Sequence, residues 1–302
     1  MRNSTSEKEI IRKLPILHKG NLKIKPLKGG MTNNNYLVVN NSICYVARFA
    51  PEKIRMLGLN RQREIYNYRI ASSLKIGPRF IAYYPAYKLL IVDYIHGKHI
   101  DLKTMQDPTM IKKLARLLYK LHHARNMKGS FNPFKRAKKY IRTAKKLNKW
   151  LPKGVEKYFS IFRKIERLFS NKQLCPCHLD LMRENIIQMP NGGIKLIDWE
   201  YASNADYRYD LAMLSVKGNF DFSADWRLVK EYRGFKDVKL YRQIQAMKAA
   251  VYFAEASYGI VQFAISNGNI MYKDYALLNL KDFQKVIPKI ELDISSNQKL
   301  FK

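Results

Sequence analysis

Acidic residues are scarce in this chain. Only 24 Asp and Glu stand against 56 Lys and Arg over 302 residues, a formal net charge of +32. Such an excess favours anionic partners: nucleotides, nucleic acid or an acidic membrane surface. Any local gathering of carboxylates therefore needs a chemical reason. Cysteine is scarcer still. Cys44, Cys175 and Cys177 are too few for a disulfide framework, and no second cysteine pair exists to complete a zinc site. Reduced thiols packed near a strand are expected. No apolar run approaches the ~20 residues that a membrane helix needs. The opening stretch MRNSTSEKEIIRKL also lacks the apolar middle of a secretory signal. A cytoplasmic location is expected. With 47% hydrophobic and 26% charged residues, the chain has a globular composition and enough length for two core-forming lobes.

The charge is densest from Phe134 to Leu168, with thirteen Lys or Arg against two Glu. That stretch has the composition of a nucleic-acid face. Its apolar residues Tyr140, Leu147, Trp150 and Leu151 nevertheless recur at roughly helical spacing, which suits a solvated basic helix face. Nucleic acid is not the expected partner, since charge alone is a weak signal.

The first ninety-odd residues read as strands around one helix. LKIKPLKGG and NYLVVNN alternate as two strands joined by the turn GGMTNN, and SICYVARFA as a third. RQREIYNYRIASSL, from Arg61 to Leu74, suits a helix with Ile65, Tyr68 and Ile70 available for packing. GPRFIAYYPAYKLLIVDYI adds two short strands rich in aromatic and β-branched residues. HGKHI then leaves this part, which sets a boundary near residue 97 between an N-terminal lobe, 1–97, and a C-terminal lobe, 98–302. The second lobe is mostly helical. From Met110 to His123, the residues Met110, Ile111, Leu114, Leu117, Leu118 and Leu121 form one apolar stripe. NIIQMPNGGIKLIDWE reads as a hairpin around an Asn-Gly turn. Further helices follow, including Gln243 to Ile265. The expected class is α+β: a small sheet lobe and a larger, mainly helical lobe carrying a hairpin.

The scarce acids gather in CHLDLMRENIIQMPNGGIKLIDWE. Phosphoryl transfer needs a carboxylate to orient or deprotonate the accepting hydroxyl. It also needs oxygen ligands for Mg²⁺, which takes one or two carboxylates plus phosphate oxygens. Asp180, followed five residues on by Asn185, supplies both on one loop. Asp180 faces the hydroxyl in this reading, and Asn185 offers its carbonyl oxygen to the metal. Asp198, across the hairpin after the strand IKLI, is a second metal ligand held by a rigid element. Singly, Asp180 reads as a turn residue, Asn185 as a cap and Asp198 as a strand end. Together, separated by a clean hairpin, they read as a phosphotransfer site.

CHLDLMRENII, IKLIDWEYA and YDLA resemble the signature of the choline/ethanolamine kinases, within the wider aminoglycoside-phosphotransferase group of protein-kinase-like folds. Glu200 and Tyr201 after Asp198 are similar to the choline-kinase branch. The resemblance covers about residues 22 to 290 and is densest at 177–211. It implies a bilobal kinase-like fold, ATP and Mg²⁺ as cofactors, Asp180 as catalytic base, and Asn185 and Asp198 on the metal. His178 is then structural, and Asp210 fixes the catalytic loop. GGMTNNNY, which contains Asn33, resembles the nucleotide loop, where backbone N–H groups and small polar side chains meet phosphates. Arg48 stands where these kinases place the cation that steadies the phosphates. An inward-pointing cation on a strand needs a partner, and Glu64 on the next helix is the expected one. Asp93 and Ile95, in IVDYIHG, take the place of the hinge whose backbone receives adenine.

A quaternary ammonium is recognised by aromatic faces together with negative charge. YGIVQFAISNGNIMYKDYA (258–276) resembles the segment that lines the choline pocket, which implies Tyr258 and Tyr275 as cage walls and Tyr201 as a third. Two departures stand out. Glu255 occupies the place of a cage Trp, and Lys217 lies near a position that is acidic in the animal enzymes. Glu255 restores negative charge for an ammonium, or serves a primary amine that needs a hydrogen-bonded carboxylate. The expected reaction is ATP- and Mg-dependent phosphorylation of a small amino alcohol, choline first and ethanolamine next. The rivals are a thiamine or aminoglycoside kinase on the same scaffold and, from another class, a basic nucleic-acid-binding module. The basic stretch also suits a weak contact with an anionic membrane surface.

Overall fold

The computed structural model describes residues 6–17, 20–27, 33–50, 60–147, 149–169 and 174–296, with side chains through residue 288. The chain divides into two compact units. One comprises Met1–Ile100 with Glu184–Ala202, the other Asp101–Arg183 with Ser203–Lys302. In chain order the first unit supplies α1 (Glu7–Arg12), β1 (Leu22–Pro26), β2 (Asn34–Asn40), β3 (Ile43–Phe49), α2 (Arg61–Ser73), β4 (Phe80–Tyr84), β5 (Leu89–Asp93) and β6 (Lys98–His99). The second begins with α3 (Leu102–Gln106), α4 (Pro108–His122), α5 (Pro133–Lys146), α6 (Val155–Leu168) and β7 (Leu174–Cys177). The chain returns to the first unit for β8 (Ile186–Gln188) and β9 (Ile194–Leu196). It ends in the second with β10 (Ser203–Asp206), α7 (Tyr207–Lys217), α8 (Phe222–Arg233), α9 (Val238–Ile265) and α10 (Ile270–Ser296).

The five strands expected from alternation form one antiparallel sheet in the order β1-β2-β3-β5-β4. Strand β5, LLIVD, is paired on both sides and buried from Leu89 to Val92. Val38, Ala47, Phe49, Leu89 and Ile91 pack with Ile11, Leu14 and Leu17 from the N-terminal segment. Side chains alternate along a strand, so Arg48, between Ala47 and Phe49, points to the opposite face. Helix α2 starts at its cap Asn60, which accepts from the Arg63 N–H at 3.0 Å. It buries Ile65, Tyr68 and Ile70 as expected, but also Arg61, Glu64 and Asn67. The expected Asn-Gly hairpin forms in the register Ile186↔Leu196 to Gln188↔Ile194, with Gly192 at φ +76°, a conformation suited to glycine. It groups with the first unit because β6 adds to β8, Lys98 opposite Gln188 and His99 opposite Ile187.

The second unit is built around α9, which is buried on most sides along its middle and is mainly apolar there, with Lys248 and Glu255 each held in an ion pair. Phe253 on α9 packs in tilted contacts with Phe162 of α6, ring centroids 4.4 Å apart, and with Phe283 of α10 at 5.2 Å. Gly259 lets α9 and α10 approach closely: a Cβ there would lie 2.8 Å from the Tyr272 carbonyl oxygen. The stripe of α4 buries Met110, Ile111, Leu114, Leu117, Leu118 and Leu121.

The basic stretch 134–168 forms α5 and α6, and its packing residues differ from the sequence expectation. Phe134, Ala137, Tyr140, Ile141 and Ala144 face the core. Leu147 is exposed, and Trp150 and Leu151 lie between the two helices. Both acids of the stretch are paired with its own lysines, Glu166 with Lys138 and Glu156 with Lys145. Among the described residues, no helix is long and apolar enough to cross a membrane.

Candidate active site

In the first unit the hairpin sets Asn185 beside Asp198. The Asn185 carbonyl accepts from the Ile197 N–H at 2.9 Å, extending the ladder one step beyond β8 and β9. Trp199, fully buried, anchors the next turn by donating its indole N–H to the Leu196 carbonyl at 2.9 Å. Asp198 itself sits at φ +63°. Non-glycine residues rarely adopt that region, and Asp tolerates it better than most.

The partner of Asp198 corrects one expectation. Arg48 donates to the Asp198 carboxylate at 2.7 Å, whereas Glu64 is gripped by Arg61 at 2.6 Å. The reason is local: Arg61 lies one helical turn before Glu64 on α2, where residues three apart meet. Glu64 still acts on Arg48 through space. Burial works against the Arg48 charge, but Asp198, Glu64, Tyr68 and Glu200 outweigh it and raise its pKa. Arg61 also donates to Asn33 at 2.9 Å, and Asn33 donates to Glu200 at 2.9 Å. A buried chain thus runs Glu64–Arg61–Asn33–Glu200, next to the Arg48–Asp198 pair. Burial, followed by the Asp198 charge, pushes the Glu200 carboxyl up to about 7. Burial likewise raises Glu64 against the pull of Arg61 and Arg48.

Sequence reasoning missed Arg61 and the part played by Glu200. The only signal was the position of Glu200 two residues after Asp198. Of the expected nucleotide loop, residues 29–32 lie outside the described residues, while Asn33 is buried in this chain of contacts. At the expected hinge, the Asp93 N–H donates to the Arg79 carbonyl at 3.0 Å, and the Asp93 carboxylate accepts from the Arg79 side chain at 2.8 Å. Ile95 follows the end of β5, and Tyr94 is tied to the Cys44 carbonyl at 3.0 Å.

The donor set fits a hard divalent cation. Three carboxyl groups (Glu64, Asp198, Glu200) stand with two guanidinium groups (Arg48, Arg61), and burial works against the charged forms of Glu64 and Glu200, which a cation would favour. The Glu64 Oε1 atom is buried without a hydrogen-bond partner. The side-chain oxygens of Asn185, which is buried, and of Asp198, which is partly exposed, are of the type Mg²⁺ prefers.

In the second unit, Asp180 is half-buried, on a loop that Asp210 holds in shape. Asp210, fully buried, accepts from the N–H groups of both His178 and Leu179 at 2.8 Å. His122 meets the same carboxylate at 3.2 Å. The two backbone bonds hold Leu179 at φ +69°, a strained conformation for leucine. His178 is fully buried, and its Nδ1 accepts from the Asp180 N–H at 3.3 Å. The structural parts expected of His178 and Asp210 are visible in these contacts.

Of the substrate candidates, the structure brings Glu255 and Tyr275 together: the Tyr275 hydroxyl donates to Glu255 Oε2. Lys217 joins them, at 2.7 Å from Glu255 and 3.1 Å from the Tyr275 oxygen. Burial, then Glu255, then more weakly Asp180, raise the Tyr275 pKa, so the charge of the candidate base reaches this cluster. Tyr258 stands near Tyr140, ring centroids 6.2 Å apart, and burial pushes its hydroxyl up to about 12. Tyr201 is half-buried in the first unit.

Comparison with known proteins adds three likenesses and a family match. The family model of the choline/ethanolamine kinases matches residues 24–229. The LicA protein of Haemophilus influenzae is 22% identical over 208 residues, covering 68% of this chain and 61% of that protein. Ethanolamine kinase 1 of Mus musculus is 22% identical over 301 residues, covering 81% and 77%. The crystal structure of the choline kinase LicA from Streptococcus pneumoniae is similar with a TM-score of 0.80 at 24% identity, covering 93% of this chain and 99% of that one.

Proposed function

Because the chain belongs to the choline/ethanolamine kinase family, a family of small-molecule phosphotransferases, we propose that it transfers the terminal phosphoryl group of ATP, with Mg²⁺, to the hydroxyl of a small amino alcohol. Choline, ranked first on sequence grounds, and ethanolamine are the two substrates this reading keeps. The observation that carries it is the pair of built loops. Asp210 holds the Asp180 loop through two backbone N–H groups, and the hairpin ladder holds Asn185 beside Asp198.

In this reading Asp180 orients the substrate hydroxyl and takes its proton as the oxygen bonds to phosphorus and the bond to the ADP oxygen breaks. Asn185 and Asp198 would hold Mg²⁺, which when bound would neutralise phosphate charge. Arg48, kept protonated by its acidic neighbours, steadies the phosphates. Asn33 and Arg61 keep Arg48 and Asp198 in place by satisfying Glu64 and Glu200. The backbone of Asp93 and Ile95 receives the base. Tyr201, Tyr258, Tyr275 and Glu255 face the amino end of the substrate.

The test is a panel of choline, ethanolamine, thiamine and an aminoglycoside, each with MgATP, scored by ADP release. Turnover of choline or ethanolamine, dependent on Mg²⁺, is expected. Turnover confined to thiamine or the aminoglycoside moves the protein to the rival substrates, and absence of turnover with all four removes the proposal.

A further inference from the structure

Three helices converge on one ammonium group. Lys217 reaches from the last turn of α7 to Glu255 on α9 at 2.7 Å and to the Tyr275 hydroxyl on α10 at 3.1 Å. Its Nζ also stands 5.5 Å from the centre of the Tyr275 ring. The Tyr275 hydroxyl donates to the same Glu255 oxygen. Lys217 and Glu255 are 14% and 19% exposed, so the pair is only partly screened by water. A carboxylate, a phenol and an aromatic face are the groups that recognise an organic cation. Here they already hold one, tethered to the chain.

We infer that Lys217 is a specificity-determining residue that turns this enzyme toward alcohols bearing a primary ammonium and against quaternary ones. The inference rests on the amino-alcohol reading and deepens it. A substrate ammonium can engage Glu255 only by sharing or displacing Lys217. A primary ammonium carries N–H donors, and the Lys217 contacts demonstrate that Glu255 and Tyr275 accept such donors at hydrogen-bond distance. Ethanolamine exchanges one set of charge-assisted bonds for an equivalent set. A trimethylammonium has no N–H, so choline would break the Lys217–Glu255 bond and replace it with nothing directional. Losing one charge-assisted hydrogen bond corresponds to about 10- to 100-fold in affinity. The four-carbon lysine stem is flexible enough to swing aside.

The experiment compares wild type, Lys217→Met and Lys217→Gln. It reads kcat/KM with ethanolamine and with choline at saturating MgATP, and binding of each amine by calorimetry, with thermal melts to confirm folding. Wild type is expected to favour ethanolamine about tenfold or more. Both variants, with Glu255 released, are expected to shift that ratio toward choline about tenfold or more through the choline KM, with tighter choline binding. A wild type that favours choline, or variants whose ratio and choline affinity stay put, overturns the inference. If wild type phosphorylates neither amine, the amino-alcohol reading fails by itself. The Lys217 inference is then decided by calorimetry alone: a gain of choline binding in the variants upholds its role, and no gain overturns it.

Discussion

Arg48 on the third strand of the sheet and Asp198 after the hairpin, 150 residues apart in sequence, form an ion pair at 2.7 Å. Asp198 is the largest of the charges that offset the burial of Arg48 on that face. The neighbours of Arg48, Ala47 and Phe49, commit the strand to an apolar core on the other side. Replacing Arg48 by Ala leaves Asp198 without its ion-pair partner, while Glu64 keeps Arg61. The expected cost is about 2–4 kcal/mol in urea unfolding, below that of orphaning a fully buried charge because Asp198 is partly exposed. Lys, shorter and without the planar fork, should recover only part of it. In steady-state kinetics both variants should raise the KM for ATP more than that for the alcohol.

Asp210 is a separate case, because it touches no reacting group. It is fully buried and holds two consecutive backbone N–H groups, one of them on a leucine at positive φ. Asp210→Asn presents one acceptor oxygen where two are needed, and sets an amide N–H against a backbone donor. A loss of about 2–4 kcal/mol is expected, with kcat falling more than about tenfold as Asp180 loses its position. Nucleotide affinity, measured separately by calorimetry, should stay near the wild-type value. A variant that loses stability but keeps its kcat would show that the loop does not depend on this carboxylate.

The sequence made the strands and the hairpin legible for a physical reason. Period-two alternation and the Asn-Gly turn are local, and local signals survive in one chain read alone. Ile65, Tyr68 and Ile70 on α2, and the stripe of α4, were legible in the same way. The charge pairing was not. Glu64 was expected to take Arg48, but Arg61 on the same helix face holds it, and Asp198, 150 residues from Arg48 in sequence, meets Arg48 only in the folded unit. Lys217 was visible as an odd charge, while its bond to Glu255 depends on how α7, α9 and α10 pack. Trp150 and Leu151 misled because helical spacing continues in the sequence past the point where α5 ends at Lys146.

Glu200 gives a pH-dependent prediction. Its carboxyl, ordinarily near 4.5, is raised to about 7 by burial and then by Asp198. Below about 4.5 it is protonated in both folded and unfolded chains. Between about 4.5 and 7 the unfolded chain ionises first, so folding stability falls as pH rises, and above 7 the loss is complete. Glu200→Gln keeps an acceptor for Asn33 and removes the charge. In chelator-treated protein it should flatten that part of the stability profile and gain up to about 3 kcal/mol at pH 8. An unchanged profile would mean that Glu200 is ionised in the folded protein throughout.

The most direct test of the account is Asp180→Asn, assayed for ADP release with the best alcohol of the panel and for ATP binding by calorimetry in the presence of Mg²⁺. The substitution keeps the size of the side chain and removes the base. The account predicts a fall in kcat of about 10²- to 10⁴-fold with ATP affinity and melting temperature nearly unchanged. A variant that still turns over the alcohol at close to the wild-type rate would contradict it.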